Sequence, residues 1–193
     1  MAMAAQRTVY LAGPDVFLPD AVALGQRKKQ LCARYGFEGL YPLDDTISAH
    51  SGELPVDRLI YRACVALLQR ADFGIVHLTP FRGPSADVGT VCELGMLIGL
   101  GKQVFGYTNA ATDLLERVQR HDIVTRDGPT WHASDGMTVE DFGNADNLMI
   151  DAALAEQGHE IVRIAARPAD RFHDLTGFET CLRHAADYFG TIS

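Results

Sequence analysis

Short apolar runs alternate with helix-length segments through the N-terminal half of this chain, and that alternation leaves few architectures open. Thr8 to Ala12 (TVYLA) reads as a buried strand ended by Gly13-Pro14. Ala21 to Tyr35 reads as a helix stopped at Gly36, and Phe37 to Tyr41 as a second strand closed by Pro42. Asp57 to Arg70 carries Leu59, Ile60, Ala63, Leu67 and Leu68 at helical spacing. A strand at Phe73 to Leu78, a helix at Val88 to Leu100 and a strand at Gln103 to Tyr107 follow. Strands that are apolar throughout and separated by helices predict an α/β fold, a parallel sheet covered by helices on both faces. Ligands of such sheets bind beyond the carboxyl ends of the strands, here the loops after Ala12, Tyr41, Leu78 and Tyr107.

Beyond Tyr107 the pattern weakens. Asp113 to Arg120 reads as a short helix, and His121 to Met137 as either a lid or a surface hairpin. Ala145 to Glu156 reads as a helix, Glu160 to Ile164 as the last strand and Thr176 to Phe189 as the last helix. With 193 residues, 47% of them hydrophobic, a single domain spanning 1–193 is expected. The net charge of −8 argues against a nucleic-acid partner, which needs a basic face, but not against a neutral nucleoside or base. The N-terminal run lacks the features of a secretory signal, and the most apolar stretch, Val88 to Leu100, is too short to span a bilayer, so a cytoplasmic protein without membrane contact is expected. Cys32, Cys64, Cys92 and Cys181 form no C-x-x-C pair and read as free, buried thiols. The histidines are scattered, His77 reads as a hydrogen-bonded core residue, and no metal or cofactor motif is present.

One residue resists this reading. The segment VGTVCELGMLIGL is apolar on every side, so its helix should be buried all round, yet it holds Glu93. A buried carboxylate is costly without a partner, and neither Arg82 nor Lys102 stands at i+3 or i+4. Glu93 is therefore either paired with a buried cation or, the preferred reading, faces a pocket. Gly89 and Thr90 share its helix face, and the absence of a side chain at Gly89 leaves access open. The preceding loop offers Gly83, Ser85 and Asp87 beside the helix's free backbone amides; Asp87 serves equally as a plain N-cap.

With these residues in view, the chain resembles the nucleoside 2-deoxyribosyltransferases from Tyr10 to about Ile150. The resemblance rests on YLAGPDVF (Tyr10 to Phe17), YPLDD (Tyr41 to Asp45), ADFGIVHLTPFRGPSADVGTVCELG (Ala71 to Gly95) and DNLM (Asp146 to Met149). It implies a flavodoxin-like (Rossmann-like) sheet, Glu93 as nucleophile, Asp87 as the residue that handles the base and its proton, and Tyr10 in contact with the nucleophile. It further implies Phe17 against the base and Asp44 in the pocket wall. Asn147 and Met149 would reach the site from a neighbouring subunit, hence a homo-oligomer. The family's sugar-binding Asp or Asn falls on Cys64, a departure, since a thiol is a poor partner for a hydroxyl.

The implied activity is transfer of 2-deoxyribose between nucleobases in nucleoside salvage, through a covalent deoxyribosyl-glutamate, with small nucleosides and bases as ligands and no cofactor. Two other readings stand beside it. One is a 2′-deoxynucleoside 5′-monophosphate N-glycosidase, with Arg82, Gly83 and Ser85 as a phosphate cradle. The other is a non-catalytic nucleotide-binding module.

Overall fold

The computed structural model describes residues 6–44 and 54–191. Asp45, the last residue of the YPLDD motif, lies outside them. Five strands, β1 (Arg7–Ala12), β2 (Phe37–Leu40), β3 (Phe73–His77), β4 (Gln103–Thr108) and a short β8 (Val162–Arg163), form one sheet in the order β2-β1-β3-β4-β8. Every pairing in it is parallel. This is the flavodoxin-like strand order with helices on both faces.

Alternation along the strands divides the core into two layers. Val9, Leu11, Phe73, Ile75 and Phe105 face α1 (Ala21–Arg34) and α6 (Thr176–Phe189), packing on Cys32, Phe178 and Leu182. Tyr10, Ala12, Val76 and Val104 face the other way, with Leu67 and Leu68 of α2 (Val56–Arg70) and Leu94 and Leu97 of α3 (Val88–Gly99). That second layer also takes Ile150 and Leu154 of α5 (Leu148–Ala155). Gly74 lets α3 approach the sheet: a Cβ there would overlap the side chain of Leu97, which is fully buried and has nowhere to move. Gly74→Val should cost about 1–3 kcal/mol through overpacking and lower the melting temperature by several degrees in a thermal melt.

After α4 (Leu114–His121) the segment expected as lid or hairpin forms an antiparallel sheet of β5 (Thr125–Asp127), β6 (Thr130–His132) and β7 (Thr138–Val139). Its first turn uses Gly128 at φ 57, the left-handed geometry a two-residue hairpin requires. α5 begins at Leu148 rather than Ala145, because the Asp151 carboxylate takes the backbone N–H of Ala145 and Asp146 while Asn147 caps the helix.

Two expectations need correction. α3 is not buried all round: Val88 is 85% exposed, and Cys92, Gly95 and Leu100 also face outward. Apolar sequence on every side therefore meets protein on only one side of this chain. For the same reason Cys92 is exposed and Cys64 half-buried, while only Cys32 and Cys181 are buried thiols. No helix among the described residues is long and apolar enough to cross a membrane.

Candidate active site

The chain leaves β1 toward β2 on one side and β3 on the other, so the sheet's topological switch lies at β1, where open α/β sheets hold ligands. Tyr10 points from β1 into the α2/α3 layer and is fully buried. Its hydroxyl donates a 2.5 Å hydrogen bond to Glu93 Oε1 on α3. The two residues are 83 positions apart and meet because β1 and α3 share one face of the sheet.

The loop from β3 into α3 is pinned before it reaches Asp87. The Ala86 N–H donates to Asp146 Oδ2 at 2.9 Å, the Phe81 N–H donates to the Ser85 carbonyl at 3.0 Å, and Arg117 Nε donates to the Pro84 carbonyl at 2.5 Å. Asp87 then caps α3, its Oδ2 accepting from the Thr90 N–H at 2.9 Å and the Thr90 hydroxyl at 3.0 Å. Among the described residues Oδ1 takes no hydrogen bond and remains available to a ligand. A Cβ on Gly89 would stand 3.1 Å from Asp87 Oδ2, so glycine there leaves the carboxylate its room.

Burial pushes the Glu93 carboxyl up to about 7; the Tyr10 hydrogen bond opposes this and the nearby charge of Asp87 adds to it. Burial and then the Glu93 charge hold the Tyr10 phenol well above its usual range, so it stays a donor. The Cys64 thiol on α2 adjoins both groups: burial and then the charge of Glu93 raise it. The site therefore holds two carboxylates on the first turns of one helix, a phenol donor on one of them, and a neutral thiol beside both.

The other expected residues are distributed unevenly. Phe17, 57% exposed, stacks on Phe81 with ring centroids 5.3 Å apart, and the Arg82 guanidinium lies over both rings. Gly89 lies beside Asp87, and the Ser85 side chain lies near Asp146. Asp44 is engaged elsewhere: Oδ2 accepts from the Tyr41 N–H at 2.9 Å and Oδ1 pairs with Lys29 at 2.8 Å, closing the turn after β2. Asn147 caps α5, accepting from the Met149 N–H at 3.1 Å and donating to Glu140 at 2.7 Å. Met149 is 70% exposed on the outer surface.

Two groups that hold the site were not foreseen. Asp146 and Arg117 form a buried pair at 3.3 Å, and between them they fasten the Pro84–Ala86 stretch. Asp146 stood inside the DNLM motif, overshadowed by its neighbours. Below the first loop, buried Asp15 pairs with Lys28 at 2.6 Å and His77 Nδ1 at 3.1 Å, while the Thr79 hydroxyl meets His77 Nε2 at 2.7 Å. Burial alone would raise the Asp15 carboxyl, but Lys28 and His77 outweigh it and hold the group well below the usual range. The spacing Leu24, Lys28, Cys32 signalled this, since it sets a lysine on the buried stripe of α1.

The family model described as nucleoside 2-deoxyribosyltransferase matches residues 9–149. An uncharacterised protein of Schizosaccharomyces pombe is 30% identical over 164 residues, covering 78% of each chain. Among solved structures, a 2-desoxiribosyltransferase from Leishmania mexicana superposes with a TM-score of 0.65 at 26% identity, covering 92% of this chain and 98% of its own. A conserved protein from Enterococcus faecalis superposes with a TM-score of 0.53 at 16% identity, over 94% of this chain and 99% of its own, a likeness of fold alone.

Proposed function

Because the chain belongs to the nucleoside 2-deoxyribosyltransferase family, we propose that it transfers 2-deoxyribose from one nucleobase to another, in salvage of nucleosides, through a covalent ester on Glu93. The observation that carries this reading is the half-buried Glu93 carboxylate, held by the Tyr10 hydroxyl next to a second carboxylate with one free oxygen.

Ionised Glu93 attacks C1′ of a 2′-deoxynucleoside as the bond to the base breaks, and the departing base takes a proton delivered from Asp87. The sugar passes through an oxocarbenium-like state that the carboxylate stabilises. The incoming base then attacks C1′, returns its proton to Asp87, and Glu93 leaves as carboxylate, so that two inversions retain configuration. A 2′-hydroxyl would withdraw electrons from the cationic centre, which favours deoxyribose. Phe17, exposed on its outer side, offers a face for a base to stack on. The outward apolar side of α3 and the exposed Met149 support assembly with further copies of this chain. In such an assembly Met149 reaches a neighbouring site.

Purified protein incubated with 2′-deoxyinosine and adenine should yield 2′-deoxyadenosine and hypoxanthine, resolved by liquid chromatography. Free deoxyribose with no 2′-deoxyadenosine would overturn transfer in favour of hydrolysis. The absence of any product would favour a binding module.

Tyr10→Phe removes the bond that favours ionised Glu93. The acid limb of the rate should move to higher pH, and the rate at pH 7 should fall by roughly fivefold for a rise of about one unit of pKa. An unchanged pH profile would show that the phenol does not tune the carboxylate.

A further inference from the structure

A cavity of about 650 Å³ lies beyond the ends of β3 and β4, and Tyr10, Cys64, Asp87, Gly89 and Glu93 do not line it. Its wall carries Arg82, Arg117, Arg120, Arg171 and His121 and includes no acidic residue, in a chain whose net charge is −8. Like charges gathered round a concavity without counter-charges in its lining raise the local potential and draw anions.

These cations are not equally occupied. Arg117 gives its N–H groups to Pro84, Thr112 and Ala145 carbonyls and to Asp146, so it forms wall. Arg171 donates one N–H to the Pro80 carbonyl. Arg82 has no ion pair among the described residues; its guanidinium rests on Phe17 and Phe81, and its backbone keeps the left-handed φ of 57. Among the described residues Arg120 pairs only with Glu116, at 3.8 Å on the surface.

The wall also includes Asn109, 4% exposed. Its amide nitrogen donates to the Arg171 and Asp174 carbonyls, which fixes the orientation of the amide. Its side-chain oxygen is buried without a donor among the described residues. That oxygen is sealed inside the wall, so Asn109 serves as rigid lining that holds Arg171 in place. The chemistry wanted is thus an anionic group for the arginines, carried on a polar body large enough to fill a cavity of about 650 Å³.

We propose that this cavity binds a phosphorylated sugar, such as that of a nucleoside 5′-monophosphate, at a site separate from Glu93. Arg82, Arg120 and the free edge of Arg171 hold the phosphate, and the sugar occupies the rest of the cavity. Because Arg82 also covers the Phe17–Phe81 stack, occupancy is felt at the face offered to the base. The site does not depend on the deoxyribosyl-transfer reading.

Calorimetric titration of the whole protein at low ionic strength with inorganic phosphate, ribose 5-phosphate and adenosine 5′-monophosphate tests this. Saturable binding is expected, tighter for the two sugar phosphates than for inorganic phosphate. Arg120→Glu, a surface change, should weaken it by about tenfold or more, given the strength of charge-assisted contacts. Arg183→Glu, on α6 and outside the cavity wall, should leave it unaltered, and Glu93→Ala should retain it. Absence of saturable binding, or equal loss in both arginine variants, would overturn the proposal. Loss of the monophosphate in Glu93→Ala with no effect of Arg120→Glu would also overturn it, placing that ligand at the Glu93 site.

Discussion

Glu93→Ala should lower base exchange by at least about a thousandfold, as expected when a nucleophile that forms the covalent intermediate is removed. Glu93→Gln should lower it as far, although its amide can still accept the Tyr10 hydrogen bond, because an amide cannot form and release the ester. The pair of variants separates chemistry from shape: alanine opens space beside Tyr10 and Cys64, whereas glutamine fills it. Wild-type exchange should also depend on ionised Glu93, so its rate should rise with pH through about 7. Exchange within tenfold of wild type in either variant, measured by chromatography of the products, would remove Glu93 from the mechanism.

The same carboxylate should weaken the fold at alkaline pH. Its folded pKa of about 7 stands above the 4.5 of a free glutamate, so the folded state binds the proton more tightly. Below pH 4.5 both states are protonated and Glu93 contributes nothing. Between 4.5 and 7 the unfolded chain releases its proton first, and stability falls as pH rises. Above 7 the penalty levels off at about 3 kcal/mol. Glu93→Gln removes that titration. Its gain over wild type in urea unfolding should therefore grow by about 2 kcal/mol between pH 5.5 and 8.5. Parallel stability curves would mean that the carboxylate is not held out of water. A larger gain at the acid end would reverse the sign of the account. Stability given up for a poised carboxylate is a common compromise at reactive sites.

The layered sheet was legible because buried parallel strands and amphipathic helices carry different periods, and the strand order followed from the resemblance. Glu93 stood out because a lone acid in VGTVCELGMLIGL has no local partner. Its contact with Tyr10 could not be read from spacing, since 83 residues separate them and only the shared sheet face brings them together. The contacts of Asp44 were not legible, because a carboxylate after a strand reads alike whether or not it closes its own turn, as here on Tyr41 and Lys29. Lys28 stands between Arg27 and Lys29, two neighbours of like charge, and only its spacing from Leu24 and Cys32 sets it inward. The outward side of α3 shows the limit of hydropathy: it says that a surface seeks cover, not whether the cover comes from the same chain. The arginine-walled cavity was invisible in sequence because Arg82 and Arg171 come from loops far along the chain from the α4 residues Arg117 and Arg120.

The most direct test of the central claim is the mass of the protein after rapid acid quench of a reaction with 2′-deoxyinosine in the absence of an acceptor base. A fraction of the chain should gain the mass of one deoxyribosyl group, the adduct should map to the α3 peptide at Glu93, and adenine should discharge it as 2′-deoxyadenosine. Turnover with no adduct at any quench time, or an adduct on a residue other than Glu93, would contradict the assignment.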